Sequence, residues 1–452
     1  MTRFVTRRAV LGGMAAGAVA GAGLGGNAWA AKGTSASTAA EPYVAFPVGA
    51  GGGPAGSDRV HALQIGDPAA GTVLVLVPGQ FGAANDFRLL ARDLVAAVPG
   101  VQVWAVDRRE ENLADRAGFA TADPLAYYLD GHYHSQDPAA SGFMADWGLP
   151  QTLSDLRTVV EAASCCGRRK VILGGHSWGA TTAAVYAAWD FDGRPGHRDL
   201  AGLALIDGGV LGAFNGGGEA PDNSAEKVRQ RLDAISGGAV FDMSLAAVGV
   251  GTRSESTQIW YQLAGWYAHL DPHGTSVLQP RLPDALRPAN TLTNAALLGL
   301  LVDQSFGWPN DISVHSGTFS ATGDWTDTGI TPISRVATAY AGPEPTVWQW
   351  YWPARLSVDL DAADVFADTD VTRSLGLRIQ HATGIDVPLF AFQTSAYQGT
   401  AVTAAQKLAS ASRVPFTSFQ TDTTMNHLDP LFAATAKNTA TQSLATFVRR
   451  LV

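Results

Sequence analysis

Cysteine and basic charge are both scarce in this chain of 452 residues. The two cysteines, Cys165 and Cys166, are adjacent, so they can build neither a disulfide framework nor a zinc site of the Cys-x-x-Cys kind. The sequence leaves open whether they bond to each other or stay free thiols. There are 31 basic residues against 40 acidic ones, whereas a surface that follows nucleic-acid phosphates needs a basic excess. We therefore expect no nucleic-acid partner and a fold stabilised by packing.

Long apolar runs are missing after the first thirty residues. The longest candidate, 295–302, falls short of the roughly 18 residues that cross a bilayer, so we expect no membrane span in the mature chain. Residues 1–30 combine Arg7-Arg8, an apolar Gly/Ala-rich stretch and the small-x-small ending Ala28-Trp29-Ala30, which predicts a signal peptide. The arginine pair resembles the twin-arginine type, and an ordinary secretory signal is the alternative. We expect a protein exported in the folded state, to the medium, the periplasm or the cell envelope.

Apolar residues are plentiful, at 46% of the chain against 16% charged residues, which is enough for a large core. Residues 31–57 are rich in Gly, Ala and Ser and are interpreted as a flexible leader with one edge strand at 43–48. Buried strands then alternate with amphipathic helices in 58–209 and again in 386–452, which predicts an α/β fold with a doubly wound, mostly parallel sheet. The predicted strands are 72–77, 101–107, 170–174, 203–207, 387–392 and 414–419.

The stretch 210–385 shows helical periodicity without a clear run of buried strands. We interpret it as a large, mainly helical cap or lid inserted into the core. A second, smaller insertion covers roughly 108–148. The aromatic residues of the cap either build its own small core or line an apolar substrate pocket.

The run Gly175-His176-Ser177-Trp178-Gly179 matches the pattern G-x-S-x-G. It directly follows a predicted strand and opens a predicted helix, a setting in which a sharp, strained turn exposes the serine at the carboxyl edge of the sheet. On this motif and the order of its strands, the chain resembles the α/β-hydrolase superfamily over about 60–210 and 385–452, in the manner of secreted esterases and lipases. The resemblance implies that Ser177 is a nucleophile, followed in the chain by an acid and then a histidine.

His427 is the only one of ten histidines beyond the last predicted strand, and it lies just before the terminal helix. A serine hydroxyl needs a neighbouring base to take its proton, so we assign that role to His427. The alternative is a loop histidine that caps the last helix. His176 adjoins the nucleophile, but we expect its side chain to point away and to pack under neighbouring loops.

Asp207 directly follows the strand ending at Ile206, one of the two places where the superfamily carries its acid, and we predict that it orients His427. The other place, after strand 387–392, holds Gln393-Thr394-Ser395 and no carboxylate. Asp429 and Asp386 are reserve candidates. Asp107 also follows a strand, but it precedes Ser177 and adjoins Arg108-Arg109, which indicates a structural ion pair.

An acyl-transfer intermediate needs two backbone N–H donors for its oxyanion. The resemblance places one at Trp178 and the other in the turn after strand 72–77, where Gln80 is our first choice and Phe81 the second. Histidine-containing stretches at 130–137 and 269–273 lack the spacing of a familiar zinc set, so we expect neither metal nor cofactor.

Together these features predict an exported serine hydrolase that cleaves a carboxylic ester through an acyl-enzyme intermediate. Its substrate is expected to be a small-molecule, lipid or polyester-like ester. An amidase or peptidase with the same three side chains is the nearest alternative, and a non-catalytic binding protein on the same fold is a more distant one. The acyl group, the alcohol and the oligomeric state are not specified by the sequence.

Overall fold

The structure, a computed structural model, describes residues 41–217, 223–246, 250–306, 313–342 and 344–452. The predicted signal peptide and residues 31–40 of the predicted leader lie outside these ranges. Within them the chain forms twelve β-strands and thirteen α-helices. The strands are β1 (Tyr43–Pro47), β2 (Arg59–Gly66), β3 (Thr72–Val77), β4 (Val101–Asp107), β5 (Lys170–His176), β6 (Asp190–Phe191), β7 (Arg194–Pro195), β8 (Gly202–Ile206), β9 (Gly317–Phe319), β10 (Trp325–Asp327), β11 (Leu389–Gln393) and β12 (Thr417–Thr421).

The helices connect these strands or lie in the long segment between β8 and β11. They are α1 (Arg88–Ala97), α2 (Pro124–Leu129), α3 (Leu149–Ser164), α4 (Trp178–Ala188), α5 (Ala225–Ser236), α6 (Ser256–Leu270), α7 (Asn294–Val302), α8 (Ile333–Tyr340), α9 (Ala354–Ala363), α10 (Asp370–Ser374), α11 (Thr400–Ala411), α12 (Asp429–Phe432) and α13 (Thr439–Arg449).

Eight strands form the central sheet, in the order β1-β2-β4-β3-β5-β8-β11-β12. Strand β2 pairs antiparallel with both its neighbours, and every pairing from β4 to β12 is parallel. Strands β3, β4 and β8 are buried along their whole length, as expected of parallel strands covered by helices on both faces. The predicted doubly wound, mostly parallel α/β fold is confirmed.

The last two strands begin later than the sequence predicted, at Leu389 and Thr417 instead of 387 and 414. Each predicted strand contained a proline, Pro388 or Pro415, near its start. Proline has no backbone N–H to donate to a sheet, so the regular strand begins only after it, although the carbonyl oxygen of Pro388 still accepts from the N–H of Leu203 at 2.8 Å. Strand β12 lies at the edge of the sheet, and none of its residues is fully buried.

The segment 210–385 contains helices α5 to α10, and the division of the chain into core and cap remains a prediction. Helix α6 packs against α7 and α8, while α9 packs against α3 and α4 beside the sheet. The segment also carries the antiparallel hairpin β9–β10, which the sequence analysis missed because strands of three residues are too short to show a period. In the part of the chain described here, no helix has the length and apolarity to cross a membrane.

The turn from β5 to α4 passes very close to the end of β3. A Cβ atom on Gly179 would lie 1.9 Å from the carbonyl oxygen of Val77, and one on Gly175 would lie 2.2 Å from the backbone of Gly179. No side chain fits at either position, because these contacts are with backbone that cannot rotate away. The two glycines therefore allow the turn to form at this edge of the sheet.

We predict that Gly179→Ala lowers the free energy of unfolding by about 3 kcal/mol, because the new methyl group must push the β3 and α4 backbones apart. Urea denaturation of the purified variant measures this loss. Gly142→Ala is the matched control, since a Cβ there meets nothing within 4 Å and its stability should stay within about 0.5 kcal/mol of wild type. Equal stability of the two variants would contradict the close approach.

Candidate active site

Ser177 lies between β5 and α4 in a strained backbone conformation, with φ 55° and ψ −128°. A non-glycine residue at positive φ costs energy, and such residues are concentrated at functional sites. Its N–H donates to the carbonyl oxygen of Ile206 at 3.0 Å. Two neighbouring turns also approach it, since a Cβ on Gly79 would lie 2.9 Å from the Ser177 Cβ and one on Gly208 would lie 2.3 Å from its carbonyl oxygen. The half-buried serine is thus fixed at the carboxyl edge of the sheet.

The structure brings His427 and Asp207 into direct contact. The Nδ1 atom of His427 lies 2.6 Å from Oδ2 of Asp207, which is completely buried. Because a carboxylate accepts, Nδ1 is the donor, which leaves Nε2 of the neutral imidazole as a proton acceptor. No hydrogen bond between Ser177 and His427 is recorded among the described residues, and catalytic hydrogen bonds are often long before substrate binds.

Thr394 is a residue that the sequence analysis did not assign to the site. Its N–H donates to Oδ1 of Asp207 at 2.7 Å, and its hydroxyl donates to Oδ2 at 2.6 Å. It lies just after β11, at the second position where the superfamily carries an acid. The polar run 393–395 after the predicted strand was therefore the signal in the sequence that could have pointed to Thr394.

Asp207 is held in its ionised form despite its burial. Burial raises the pKa of this carboxyl, but the hydrogen bond and the charge of His427, with the hydrogen bonds from Thr394, outweigh it and bring the pKa below the ordinary value. A buried carboxylate that stays charged can stabilise an imidazolium next to it. Stabilising the protonated histidine in this way is the role predicted for Asp207.

The two reserve acids lie elsewhere. Asp429 is buried and accepts hydrogen bonds from the N–H groups of Asn426 and His315, at 2.7 and 2.9 Å, and from the hydroxyl of Thr331. It thus links the loop of His427 to segment 313–331, and among the described residues it forms no hydrogen bond with the His427 ring. Asp386 forms ion pairs with His197 and Arg198.

The ion pair predicted for Asp107 is not formed. Asp107 accepts hydrogen bonds from the hydroxyl of Tyr43 at 2.6 Å and from the N–H of Ala84. Arg109 instead pairs with Asp155 at 2.7 Å, and Arg108 donates to Gln349 and to the carbonyl oxygen of Pro78. Neighbouring residues in extended backbone point to opposite sides, so adjacency in sequence was a poor guide to pairing.

The predicted oxyanion donors lie in the two turns that close on Ser177. Trp178 begins α4, where the first N–H groups have no partner within the helix, and Gln80 follows β3. Within the described residues, no hydrogen bond is recorded for the backbone N–H of either. The side-chain amide of Gln80 donates to Asp242 at 3.1 Å. Phe81, the second choice, has a positive φ of 57°.

Trp352, from the segment predicted to be the cap, contacts both of these turns. Its ring centroid lies 5.9 Å from that of Phe81 and 6.1 Å from that of Trp178. The guanidinium of Arg108 lies over the Trp352 ring at 4.7 Å. Trp352 is one of the aromatic residues of the predicted cap, and its contact with these distant turns could not be predicted from local periodicity.

His176 is buried, as expected, but it packs against the predicted base. Its Nε2 donates to the carbonyl oxygen of His427 at 2.7 Å, and the two ring centroids are 4.3 Å apart. Burial and the nearby His427 lower the pKa of His176 to about 3, so its ring is neutral at ordinary pH. His176 thus holds the backbone of His427, the residue predicted to act as base.

The histidine stretches considered for metal binding show no joint site. Among the described residues, no three side chains of the His, Cys, Asp and Glu types are grouped so that they could hold a metal ion. Asp130 pairs with Arg281 instead. Cys165 and Cys166 are both free thiols here.

No protein-family model and no curated protein matches the sequence. Among solved structures, a candidate lipase from Sulfolobus solfataricus is 16% identical and aligns over 88% of this chain and 92% of its own, with a TM-score of 0.50. The chain has the α/β-hydrolase fold. This confirms, at the level of the fold, the resemblance drawn from the sequence.

Two further structures align with this chain at lower scores. An epoxide hydrolase from an endophytic Streptomyces is 15% identical, covering 91% of this chain and 95% of its own, with a TM-score of 0.42. A monoglyceride lipase from Saccharomyces cerevisiae is 10% identical, covering 92% and 96%, with a TM-score of 0.40. Similarity this distant says nothing about substrate, so the reaction has to be argued from the site.

The neutral, buried His176 predicts a specific acid sensitivity. The pKa of His176 in the folded chain lies far below its ordinary value of 6.5. As the pH falls below 6.5, His176 therefore becomes protonated in the unfolded chain but stays neutral in the folded chain. Between about pH 7.5 and pH 5 this costs about 2 kcal/mol of stability. We predict that His176→Gln, which keeps a donor but cannot titrate, loses that part of the pH dependence.

Urea denaturation of both proteins at the two pH values measures the difference. His134→Gln is the control, because His134 is exposed and should leave the wild-type pH dependence unchanged. If His176→Gln and wild type lost equal stability on acidification, His176 would not be the buried neutral group described here.

Proposed function

We propose that this α/β-hydrolase chain is a serine hydrolase that cleaves a carboxylic ester through an acyl-enzyme intermediate. The observation that carries the proposal is the 2.6 Å contact between His427 Nδ1 and the buried Asp207, next to a serine in strained backbone on the same sheet edge. A serine, a histidine and a buried acid in this relation are the groups that acyl transfer requires.

In the first half of the proposed reaction, the Ser177 hydroxyl oxygen attacks the carbonyl carbon of the ester. Nε2 of His427 takes the hydroxyl proton, and Asp207 stabilises the imidazolium that results. The negative charge on the carbonyl oxygen is met by the backbone N–H groups of Trp178 and Gln80. When this intermediate collapses, the bond to the alcohol breaks, and the alcohol leaves with the proton from His427.

In the second half, water takes the place of the alcohol. His427 accepts a proton from the water as its oxygen attacks the acyl carbon, and then returns that proton to the Ser177 oxygen as the acid is released. Nucleophile, base and oxyanion donors all come from the chain itself. The proposed steps therefore call for no metal or cofactor.

An ester with an apolar acyl group is the substrate class that we favour. The rings of Phe81, Trp178 and Trp352 adjoin the turns around Ser177 and offer an apolar wall, the usual lining of a small-molecule pocket. Small-molecule and lipid esters both fit this description.

We predict that Ser177→Ala and His427→Ala each abolish hydrolysis of 4-nitrophenyl esters to within the assay background. Asp207→Asn should lower kcat by roughly 10³- to 10⁴-fold, because an asparagine amide favours the wrong tautomer of His427. Release of nitrophenol from esters of increasing acyl length measures all three. Asp386→Asn is the matched control and should keep turnover close to wild type, because its partners are His197 and Arg198.

The outcomes separate the alternatives. Activity that survives Ser177→Ala would overturn the mechanism, and turnover within tenfold of wild type in Asp207→Asn would mean that another group orients His427. Hydrolysis of aminoacyl-anilides in preference to esters would replace the ester hydrolase with an amidase or peptidase. Labelling of Ser177 by a fluorophosphonate probe distinguishes any of these enzymes from a non-catalytic binding protein.

We further propose that residues 1–30 direct export of the folded protein by the twin-arginine route. The motif Arg7-Arg8 and the ending Ala28-Trp29-Ala30 support this. Changing both arginines to lysine keeps the charge, so we predict that the variant accumulates inside the cell as uncleaved precursor, measured by immunoblotting of cell fractions. Undiminished export of the lysine variant would instead indicate an ordinary secretory signal.

A further inference from the structure

The turn after β3, residues 78–82, carries the proposed oxyanion donor Gln80. It is a tight turn, because the N–H of Gly82 donates to the carbonyl oxygen of Gly79 at 3.3 Å. Phe81 occupies the third position of this turn with a φ of 57°, a conformation for which glycine or asparagine is usual. A turn with such a strained residue keeps its shape only when the surrounding structure holds it.

Arg108 bonds to this turn at two points. Its Nη2 donates to the carbonyl oxygen of Pro78, and its Nη1 donates to Oε1 of Gln349 at 3.1 Å. The backbone N–H of Gln349 in turn donates to the carbonyl oxygen of Phe81 at 2.8 Å. The guanidinium therefore reaches the start of the turn directly and its strained residue through Gln349.

The flat face of the same guanidinium makes a third contact, with the ring of Trp352 at 4.7 Å. That ring also contacts Phe81 and Trp178, so it joins the two turns that carry the proposed oxyanion donors. Two parallel donors and a flat face that stacks on an aromatic ring are properties of arginine that lysine lacks. The three contacts thus require the planar shape of the guanidinium as well as its charge.

Arg108 is buried and charged. It is 5% exposed, and its partner Gln349 is 1% exposed. Burial lowers the pKa of Arg108 to about 10, and the carboxylates of Glu110 and Asp107 counteract part of this effect, so the guanidinium keeps its charge at neutral pH. Hydrogen bonds from a charged donor are stronger than those from a neutral one.

We propose that Arg108 is a positioning residue for the oxyanion site. It holds the carbonyl oxygen of Pro78 directly and that of Phe81 through Gln349. The peptide that carries the Gln80 N–H lies between these two points, so the direction of this N–H is fixed. Among the described residues, Arg108 forms no hydrogen bond with the three proposed catalytic side chains, so it acts through the turn. The inference rests on the proposed function, because a reaction with an oxyanion intermediate is what gives this N–H its role.

Steady-state hydrolysis of a 4-nitrophenyl ester tests this role. A donor aimed at the oxyanion acts on the transition state, so misdirecting it lowers kcat and leaves KM nearly unchanged. Arg108→Lys keeps the charge but cannot bond to Pro78 and Gln349 as a planar fork. We expect it to lower kcat by about tenfold to a hundredfold, with KM within about twofold of wild type.

Arg169→Lys is the matched control. Arg169 donates to Oε1 of Gln102 and to the carbonyl oxygen of Ala162, both at 3.3 Å, and its guanidinium lies over the ring of Trp104 at 5.2 Å. These are the same three kinds of contact, but Arg169 directly precedes β5, at the opposite end of that strand from Ser177. The control should therefore keep kcat within about twofold of wild type.

Inhibition by two matched ketones separates the oxyanion site from a general loosening of the pocket. With 1,1,1-trifluoro-2-octanone, Oγ of Ser177 bonds to the carbonyl carbon, the hydroxyl proton passes to His427, and the carbonyl oxygen becomes an oxyanion. The second ketone, 2-octanone, binds without this reaction. We expect Arg108→Lys to weaken inhibition by the trifluoroketone by about the same factor as kcat, and inhibition by 2-octanone by less than about twofold.

Gln349→Met is a second variant that removes the oxygen bound by Arg108 but keeps the backbone N–H that bonds to Phe81. It should lower kcat by about threefold to tenfold, with the same preference for the trifluoroketone among the weakened inhibitors. Circular dichroism establishes that each variant is folded. Should Arg108→Lys fail to fold, the same measurements on Gln349→Met decide.

The results distinguish this inference from the proposed function on which it rests. A wild-type protein that neither hydrolyses the ester nor reacts with the trifluoroketone would overturn both. An active wild type, with kcat in Arg108→Lys equal to that in Arg169→Lys, would overturn the inference alone. A higher KM at unchanged kcat, or equal weakening of both ketones, would also overturn it, because Arg108 would then shape the substrate pocket and not the oxyanion site.

Discussion

The site depends on one constraint, which is the close approach between the turn that follows β3 and the turn that follows β5. Gly179 lies against the carbonyl of Val77 and Gly79 lies against Ser177, with no room for a side chain at either contact. This approach forces Ser177 into its positive-φ conformation at the sheet edge and places the N–H groups of Trp178 and Gln80 on two turns that face the same serine. Without it, the serine would be an ordinary residue at the start of a helix.

A second layer of support comes from buried polar contacts behind the site. Asp207 is held by two hydrogen bonds from Thr394 and is ionised although fully buried, so it can hold the His427 ring in one tautomer. The backbone of His427 is in turn held by His176 and, through its loop, by Asp429. The contacts of Thr394 with Asp207, of His176 with His427 and of Asp429 with His315 join segments that are far apart in the chain, and together they hold the His427 loop at the edge of the sheet.

Much of the fold was predictable because its causes are local. Fully apolar runs such as Val73–Val77 identify buried strands, and the glycine spacing around Ser177 identifies the strained turn, whatever the rest of the chain does. The prolines near β11 and β12 shifted the strand starts, which is also a local effect. The role expected of Asp207 depended on the resemblance to α/β-hydrolases, and its contact with His427 is the geometry that this resemblance implies. The ion pair assumed for Asp107 failed because adjacency in sequence does not determine which side chains face each other.

The sequence by itself determined the chain order of the six parallel strands β3, β4, β5, β8, β11 and β12, the strained turn at Ser177 and the single histidine after the last strand. Each follows from residue type and spacing within a short window. Only the tertiary structure decided that Thr394 and His176 support the predicted pair and that Trp352 covers the turns beside Ser177. These are contacts between residues tens or hundreds of positions apart, and they depend on packing directions that a linear pattern does not carry.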